Sequence, residues 1–426
     1  MEKKELIDIL RAEMQPAMGC TEPAASALAG AKAREILEDE NISKAKISAS
    51  RDMIKNAMGV GIPDCSLKGI SAAVCLGICG GDTALKLSIL SHVTDDQIEK
   101  AKAIETDLVL AKNVPPLYVS VKLTAENGKT SVATISGQHD RFSHIEKNGN
   151  VLLDLPLEEK TACTEKKTDI SGLKLDEIIE FAKNVKPEDV PFIGEAVRIN
   201  LDIARHSVKG SFGLEVGKTV FAETGENPKS LAQAFELGSA LAAAGSDARM
   251  SGCSMPVIIN SGSGNQGITV TVPIETVGKY LKCSEEKIIQ AICVSELTGL
   301  VLTAKKNRLS ALCGAFTASI GTACGWVYLL DGTREIMDNA VNTMVGNLTG
   351  IICDGAKNTC ALKIYSCLEA AALSVKLAFK GLAPGRESGI VGQDSLESVN
   401  YLSRISSEGM EETDKTIVSI MMDKHC

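Results

Sequence analysis

The residues best able to do chemistry lie between Leu309 and Ile364, where Cys313, Cys324, Cys353 and Cys360 stand among small and apolar residues. Thiolates act as nucleophiles, bases and soft metal ligands. Six residues separate Cys353 from Cys360. On one continuous helix the pair would lie about 10.5 Å apart along the axis, long for one compact metal group. Asp354-Gly355 is a turn dipeptide, however, so the helix is expected to begin after it. Cys353 then precedes the turn, Cys360 opens the helix, and Cys313 comes from another helix. The spacing fits neither a ferredoxin nor a zinc-ribbon pattern, so it leaves a metal site and plain packing both open.

Cys20 is the second candidate. In MGCTEPAA, Thr21 or Glu22 can cap a helix with Pro23 in its first turn, which puts Cys20 just outside a helix N-terminus. That position is expected to lower the thiol pKa and make Cys20 the most reactive cysteine. A buried loop cysteine is the plainer alternative.

A third stretch, Pro256 to Ile274, reads as strand, glycine loop, strand. Gly262, Gly264 and Gly267 fit G-x-G-x-x-G, but a loop leading into the β-rich run ITVTV cannot face pyrophosphate with a helix. Ser261, Ser263, Asn265 and Gln266, with free backbone N–H groups, suit a small carboxylate instead. A tight hairpin explains the same residues.

These groups need elements to position them. Residues 2–16 and 24–37 read as helices, 44–62 as extended, the run from Ile70 as helical, and 95–111 as a polar helix. Leu117 to Leu123 alternates as a strand does, and Asn127-Gly128 and Asn148-Gly149 mark two hairpins. Residues 158–168 read as a linker. Beyond it, helical spacing fills 173–184, 191–209, 228–246, 284–305, 310–328, 333–347 and 357–380. The expectation is an α+β fold: residues 1–168 with an antiparallel hairpin sheet, and 169–426 mainly helical, carrying the cysteine site.

Composition narrows the function. Formal charge is −9, with one Trp and no long Lys/Arg block, so nucleic acid and anionic membrane are poor partners. The uncharged run from Leu309 to Leu330 is span-length, but its Gly, Ser and Thr content favours a buried helix. The charged N-terminus has no apolar signal core, which points to a cytoplasmic protein. Fourteen cysteines there argue for packing, thiol chemistry or metal rather than disulfides. Cys65, Cys75, Cys79, Cys163, Cys253, Cys283, Cys293 and Cys367 are expected to be buried packing residues.

Together MGCTEPAA (18–25), NSGSGNQG (260–267), SELTGL (295–300), LCGAFTASIGTACGW (312–326) and ICDGAKNTCALK (352–363) resemble the L-cysteine desulfidase family, which is related to the α chain of the iron–sulfur L-serine dehydratases. The resemblance spans almost the whole chain. It implies one [4Fe-4S] cluster per chain held by Cys313, Cys353 and Cys360, with Cys20 as proton acceptor and Cys324 outside the ligand set. It further implies conversion of L-cysteine to hydrogen sulfide, ammonia and pyruvate without pyridoxal phosphate. Elimination from L-serine, or a non-enzymatic iron–sulfur sensor, are the competing functions. In the related dehydratases a cysteine near the C-terminus can occupy the open iron, a role Cys426 would share unless the tail is merely frayed. The Gly- and Ala-rich helical half leaves room for a homo-oligomer.

Overall fold

The computed structural model describes residues 1–38, 41–63, 65–157, 169–306 and 310–424. The expected linker, Cys163 and Cys426 lie outside the described residues.

The chain opens with α1 (Lys3–Glu13), a two-residue strand β1 (Pro16–Ala17) and α2 (Thr21–Leu37). Next come β2 (Ile42–Ala49), α3 (Arg51–Ala57) and α4 (Gly69–Gly80). The expected extended run from Lys44 to Ile62 thus breaks at Ser50, whose hydroxyl accepts from the Met53 amide and caps α3. α5 (Asp95–Lys102) is shorter than expected, because Glu105–Leu110 forms β3 and pairs in parallel with β2. The hairpins occur as read: β4 (Tyr118–Ala125), β5 (Thr130–Ser136), β6 (Phe142–Lys147) and β7 (Asn150–Asp154). Asn148 (φ 49°) and Gly149 (φ 81°) make the second turn, both left-handed as a two-residue hairpin turn requires.

The six-stranded sheet has the order β3-β2-β4-β5-β6-β7, antiparallel except for the β2–β3 pair. Its inward residues alternate along β4, where Val119, Val121 and Leu123 are fully buried. α2 lies across β4, β5 and β6, with α4 packed on α2. This is one core.

The second core is helical. It contains α6 (Leu175–Asn184), α7 (Pro191–Lys209), α8 (Val216–Thr224) and α9 (Leu231–Met250). A short strand, β8 (Val257–Ile258), pairs antiparallel with β1 and precedes α10 (Gly264–Tyr280) and α11 (Glu285–Lys306). Then follow α12 (Gly314–Leu329), α13 (Arg334–Leu348), α14 (Cys360–Ala378), α15 (Ser395–Arg404) and α16 (Glu411–Asp423). Trp326 and Phe235 meet at its centre with ring centroids 4.5 Å apart, a pair worth about 0.5–1.5 kcal/mol beyond its burial.

The strand expected after the glycine loop is therefore wrong. Residues 264–280 are helical despite ITVTV and the internal Pro273. Pro273 has no N–H for the Thr269 carbonyl four residues earlier, and the Thr322 hydroxyl of α12 fills that place at 2.8 Å. A neighbouring helix thus supplies what the local sequence lacks.

The chain ends cross between the cores. Leu6, Leu10 and Met14 belong to the helical core, while Val418 and Met421 of α16 pack with the sheet-side core. Among the described residues one helix, α11, is long and apolar enough to cross a membrane, but 89% of its apolar window is buried inside the protein. The uncharged run supplies α12 (Gly314–Leu329), buried as expected.

Candidate active site

Four helix beginnings meet between the cores. Cys20 is the N-cap of α2, Ser263 of α10 and Cys313 of α12, while Cys360 is the first residue of α14. Each helix start presents backbone N–H groups and the positive end of a dipole, so the place favours anions.

Cys313 and Cys353 are brought together by an antiparallel bridge. The Cys313 amide donates to the Ile351 carbonyl at 3.0 Å, and the Cys353 amide to the Ala311 carbonyl at 2.6 Å. Asp354-Gly355 is the turn expected from the sequence. Gly355 has φ 94°, and a Cβ there would lie 1.8 Å from the Lys55 carbonyl, so glycine is required twice over. The Cys360 thiol then points back to the Gly355 carbonyl at 3.7 Å. Cys313 is buried and Cys353 and Cys360 are half-buried. Hydrogen bonding with Cys313 and, against burial, the charges of Lys55 and Lys306 hold the Cys353 thiol below its ordinary range. The same hydrogen bond, with burial, pushes Cys313 up. Burial also raises Cys360.

Lysines ring these thiols. Buried Lys55 pairs with buried Asp414 of α16 at 2.5 Å, and buried Lys306 donates to the Leu312 carbonyl at 3.3 Å. Lys363 donates to the Ile352 carbonyl at 2.8 Å and to the Asp354 carboxylate, and Lys357 to the Asp354 carbonyl. Among the described residues, no three His, Cys, Asp or Glu side chains converge closely enough for one metal ion. The donors here are thiols beside compensating cations, a soft donor set of the kind that holds iron–sulfur clusters.

Cys20 differs from expectation. Its half-buried thiol donates to Glu22 Oε2 at 2.8 Å, while Asn56 Nδ2 donates to Glu22 Oε1 at 3.3 Å. Burial first, and the Glu22 charge second, push the thiol well above its ordinary value; Arg249 opposes them. The helix N-terminus does not win.

The 260–267 loop is a tight turn at a helix start. Ser261 (φ 52°) and Gly262 (φ 78°) reverse the chain, and Ser263 Oγ accepts from the Gln266 amide at 3.4 Å. Gln266 Oε1 accepts from Thr303 at 3.0 Å, and Asn265 Oδ1 accepts from Arg249 at 3.4 Å. So Ser263, Asn265 and Gln266 are partly engaged within the protein, and buried Ser261 shapes the turn. The glycine loop does precede a helix after all. A dinucleotide site still fails, because β8 pairs antiparallel with β1 and belongs to no βαβ unit.

Sequence reading missed Arg249, Glu22, Lys55 and Lys306. Asp247 and Arg249 were visible as charges inside the small-residue run LAAAGSDARM, a sign of buried polar work. Of the expected packing cysteines, Cys75, Cys253, Cys293 and Cys367 are buried, whereas Cys65, Cys79 and Cys283 are half-buried. Cys324 is fully buried in α12, its thiol pushed up to about 12 by burial.

Residues 84–419 match the family described as serine dehydratase alpha chain. The chain is similar to a UPF0597 protein of Lachnoclostridium phytofermentans, 38% identical over 426 residues that cover 99% of this chain and 100% of the relative. A UPF0597 protein of Parabacteroides distasonis is 36% identical over 430 residues, covering 100% and 99% of the two chains. Another, of Clostridium perfringens, is 37% identical over 420 residues, 97% of each. With both site cysteine groups and the helical core falling in this shared length, the chain belongs to the serine dehydratase alpha chain family.

Proposed function

We propose that the protein is a lyase that eliminates hydrogen sulfide from L-cysteine, leaving ammonia and pyruvate, with a [4Fe-4S] cluster held by Cys313, Cys353 and Cys360. The observation that carries this reading is the meeting of those thiols with Cys20 and Arg249 among four helix beginnings. Three protein thiolates would leave one iron of such a cluster open, and that iron would supply a Lewis acid for the departing sulfur.

The chain's own residues account for the proton. The α-hydrogen of an amino acid is weakly acidic, so the base must be strong when formed. A Cys20 thiolate meets that need because its surroundings raise the thiol pKa. Glu22 Oε2, already the acceptor of the Cys20 hydrogen at 2.8 Å, takes the thiol proton first, and Asn56 orients that carboxylate. Cys20 then removes the α-proton. Loss of the β-sulfur gives aminoacrylate, and water converts this to pyruvate and ammonia. One water is consumed per turnover. Ser261, Ser263, Asn265 and Gln266 border the substrate at the start of α10.

The reading extends to a cytoplasmic enzyme acting on a free amino acid, independent of nucleic acid and membrane and compatible with a homo-oligomer. L-serine is the second substrate to weigh, since family membership names serine dehydratases. Sulfide release from L-cysteine and pyruvate release from L-serine, measured on the same anaerobically reconstituted protein, decide between them. At least tenfold higher kcat/KM for L-cysteine supports desulfidation; the reverse ratio makes the protein a serine dehydratase.

A further inference from the structure

The proposed reaction leaves the substrate's carboxylate without a countercharge, since the loop side chains are partly engaged elsewhere. We infer that Arg249, at the end of α9, binds the α-carboxylate of the substrate amino acid, a role that rests on the proposed function.

Arg249 is a buried cation, 8% exposed. A guanidinium carries five N–H donors in a planar fork that matches a carboxylate. One terminal nitrogen donates to the Gly19 carbonyl at 3.1 Å and the other to Asn265 Oδ1 at 3.4 Å, a long contact. Nε is buried and has no partner among the described residues. Leaving a charged group's donor buried and unpaired is costly, so a bound anion is the natural complement of this side chain.

Its position suits the substrate rather than the fold alone. Gly19 adjoins Cys20, and Asn265 lies in the first turn of α10, so the guanidinium ties the base loop to the glycine loop. Its charge reaches both the Cys20 and the Cys360 thiols. A carboxylate held there has its α-carbon one bond away, between the thiol that takes the α-proton and the thiols assigned to the cluster. The approach of α10 depends on Gly264, where a Cβ would lie 2.5 Å from Arg249 Nε and 2.5 Å from Val257 Cγ2. The second glycine of the G-x-G-x-x-G run thus makes room for an arginine, not a pyrophosphate. The neighbouring cations are occupied: Lys55 by Asp414, Lys363 by Asp354, and Lys357 by a backbone carbonyl.

The ligand class follows: 2-amino acids with a free carboxylate and a β-leaving group. Cysteamine, which lacks the carboxylate, and L-cysteine methyl ester, which masks it, should be poor substrates.

The test uses reconstituted full-length protein. Wild type, R249Q and R249K are compared for iron and labile sulfide content, for kcat and KM with L-cysteine, and for the rate ratio of L-cysteine to its methyl ester. We expect R249Q to keep its iron while KM rises on the order of 100-fold, the size of a lost charged hydrogen-bond pair. The acid-over-ester preference should fall to within a few-fold, with R249K intermediate in both. Unchanged KM and unchanged preference in R249Q overturn the assignment of Arg249 alone. If R249Q does not fold, R249K decides: a raised KM with reduced preference at full iron content supports the role, and wild-type values overturn it. Wild type inactive on both L-cysteine and L-serine instead sinks the proposed function, and this role with it.

Discussion

Cys20 and Cys353 each lie in a loop that leads into a helix, α2 and α14, yet their thiols are driven in opposite directions. Cys20 is pushed up by burial first and by the facing Glu22 carboxylate second. Cys353 shares a hydrogen bond with Cys313, faces Lys55 and Lys306, and is pulled down. A helix start offers roughly half a charge, and at Cys20 burial together with a full charge in contact outweighs it. Cys20 therefore holds its proton tightly, as a strong base does once formed. On the other side Cys353 is held below its ordinary range, while its neighbours Cys313 and Cys360 are raised.

The sharpest way to break this contrast is to remove each side separately. C313A/C353A/C360A should lose bound iron and lower turnover on the order of 1,000-fold or more, as expected for a lost Lewis acid. C20A should keep its iron while kcat falls on the order of 100- to 10,000-fold, the usual worth of a general base. Equal iron loss in both variants, read by iron analysis, would erase the distinction.

The next largest effect concerns the cations behind Cys353. Asp414 and Lys55 are each 4% exposed, so D414N leaves a buried lysine unpaired. Unfolding by denaturant should show a loss of about 3–5 kcal/mol. A loss below 1 kcal/mol would mean that Arg51, 3.4 Å from Asp414, or solvent takes over the pair.

Glu296 tests the same rule away from the thiols. It is fully buried, its Oε2 accepts from Asn260 Nδ2 at 2.6 Å, and burial pushes its pKa from 4.5 to about 8. A carboxyl whose folded pKa is raised keeps its proton in the native state while the unfolded chain loses it. Stability from this group is therefore present below pH 4.5 and lost as pH rises to about 8. E296Q should flatten that slope, so its Tm exceeds that of wild type more at pH 8 than at pH 5. Parallel Tm–pH curves would contradict it.

The smallest expected effect sharpens the Cys20 side. E22Q removes the carboxylate that raises the thiol, so alkylation of Cys20 should reach its half-maximal rate at lower pH than in wild type. An unmoved midpoint would leave burial alone as the cause.

Much of this arrangement was legible in the sequence. Alternation and two Asn-Gly turns marked the hairpins, and Asp354-Gly355 marked the break that lets Cys353 and Cys360 face one place. What escaped depended on partners far along the chain. β3 exists because β2 accepts it in parallel, and α10 survives its β-branched run and Pro273 because Thr322 lies beside it. α8, α15 and α16 were not anticipated, although α16 brings Asp414 to Lys55. The Cys20 pKa was misread because its burial, set by distant parts of the chain, could not be seen, and because Glu22, two residues away, counted as a cap rather than as a charge in contact.

The most direct test of the two-sided site is anaerobic reconstitution of wild type and C313A/C353A/C360A with iron and sulfide, followed by measurement of bound iron and of sulfide and pyruvate formed from L-cysteine. Wild type should bind about four iron per chain, as one [4Fe-4S] cluster holds, and form equal amounts of sulfide and pyruvate, with neither iron nor turnover in the variant. Wild type that binds no iron, or a variant that binds as much, would contradict it.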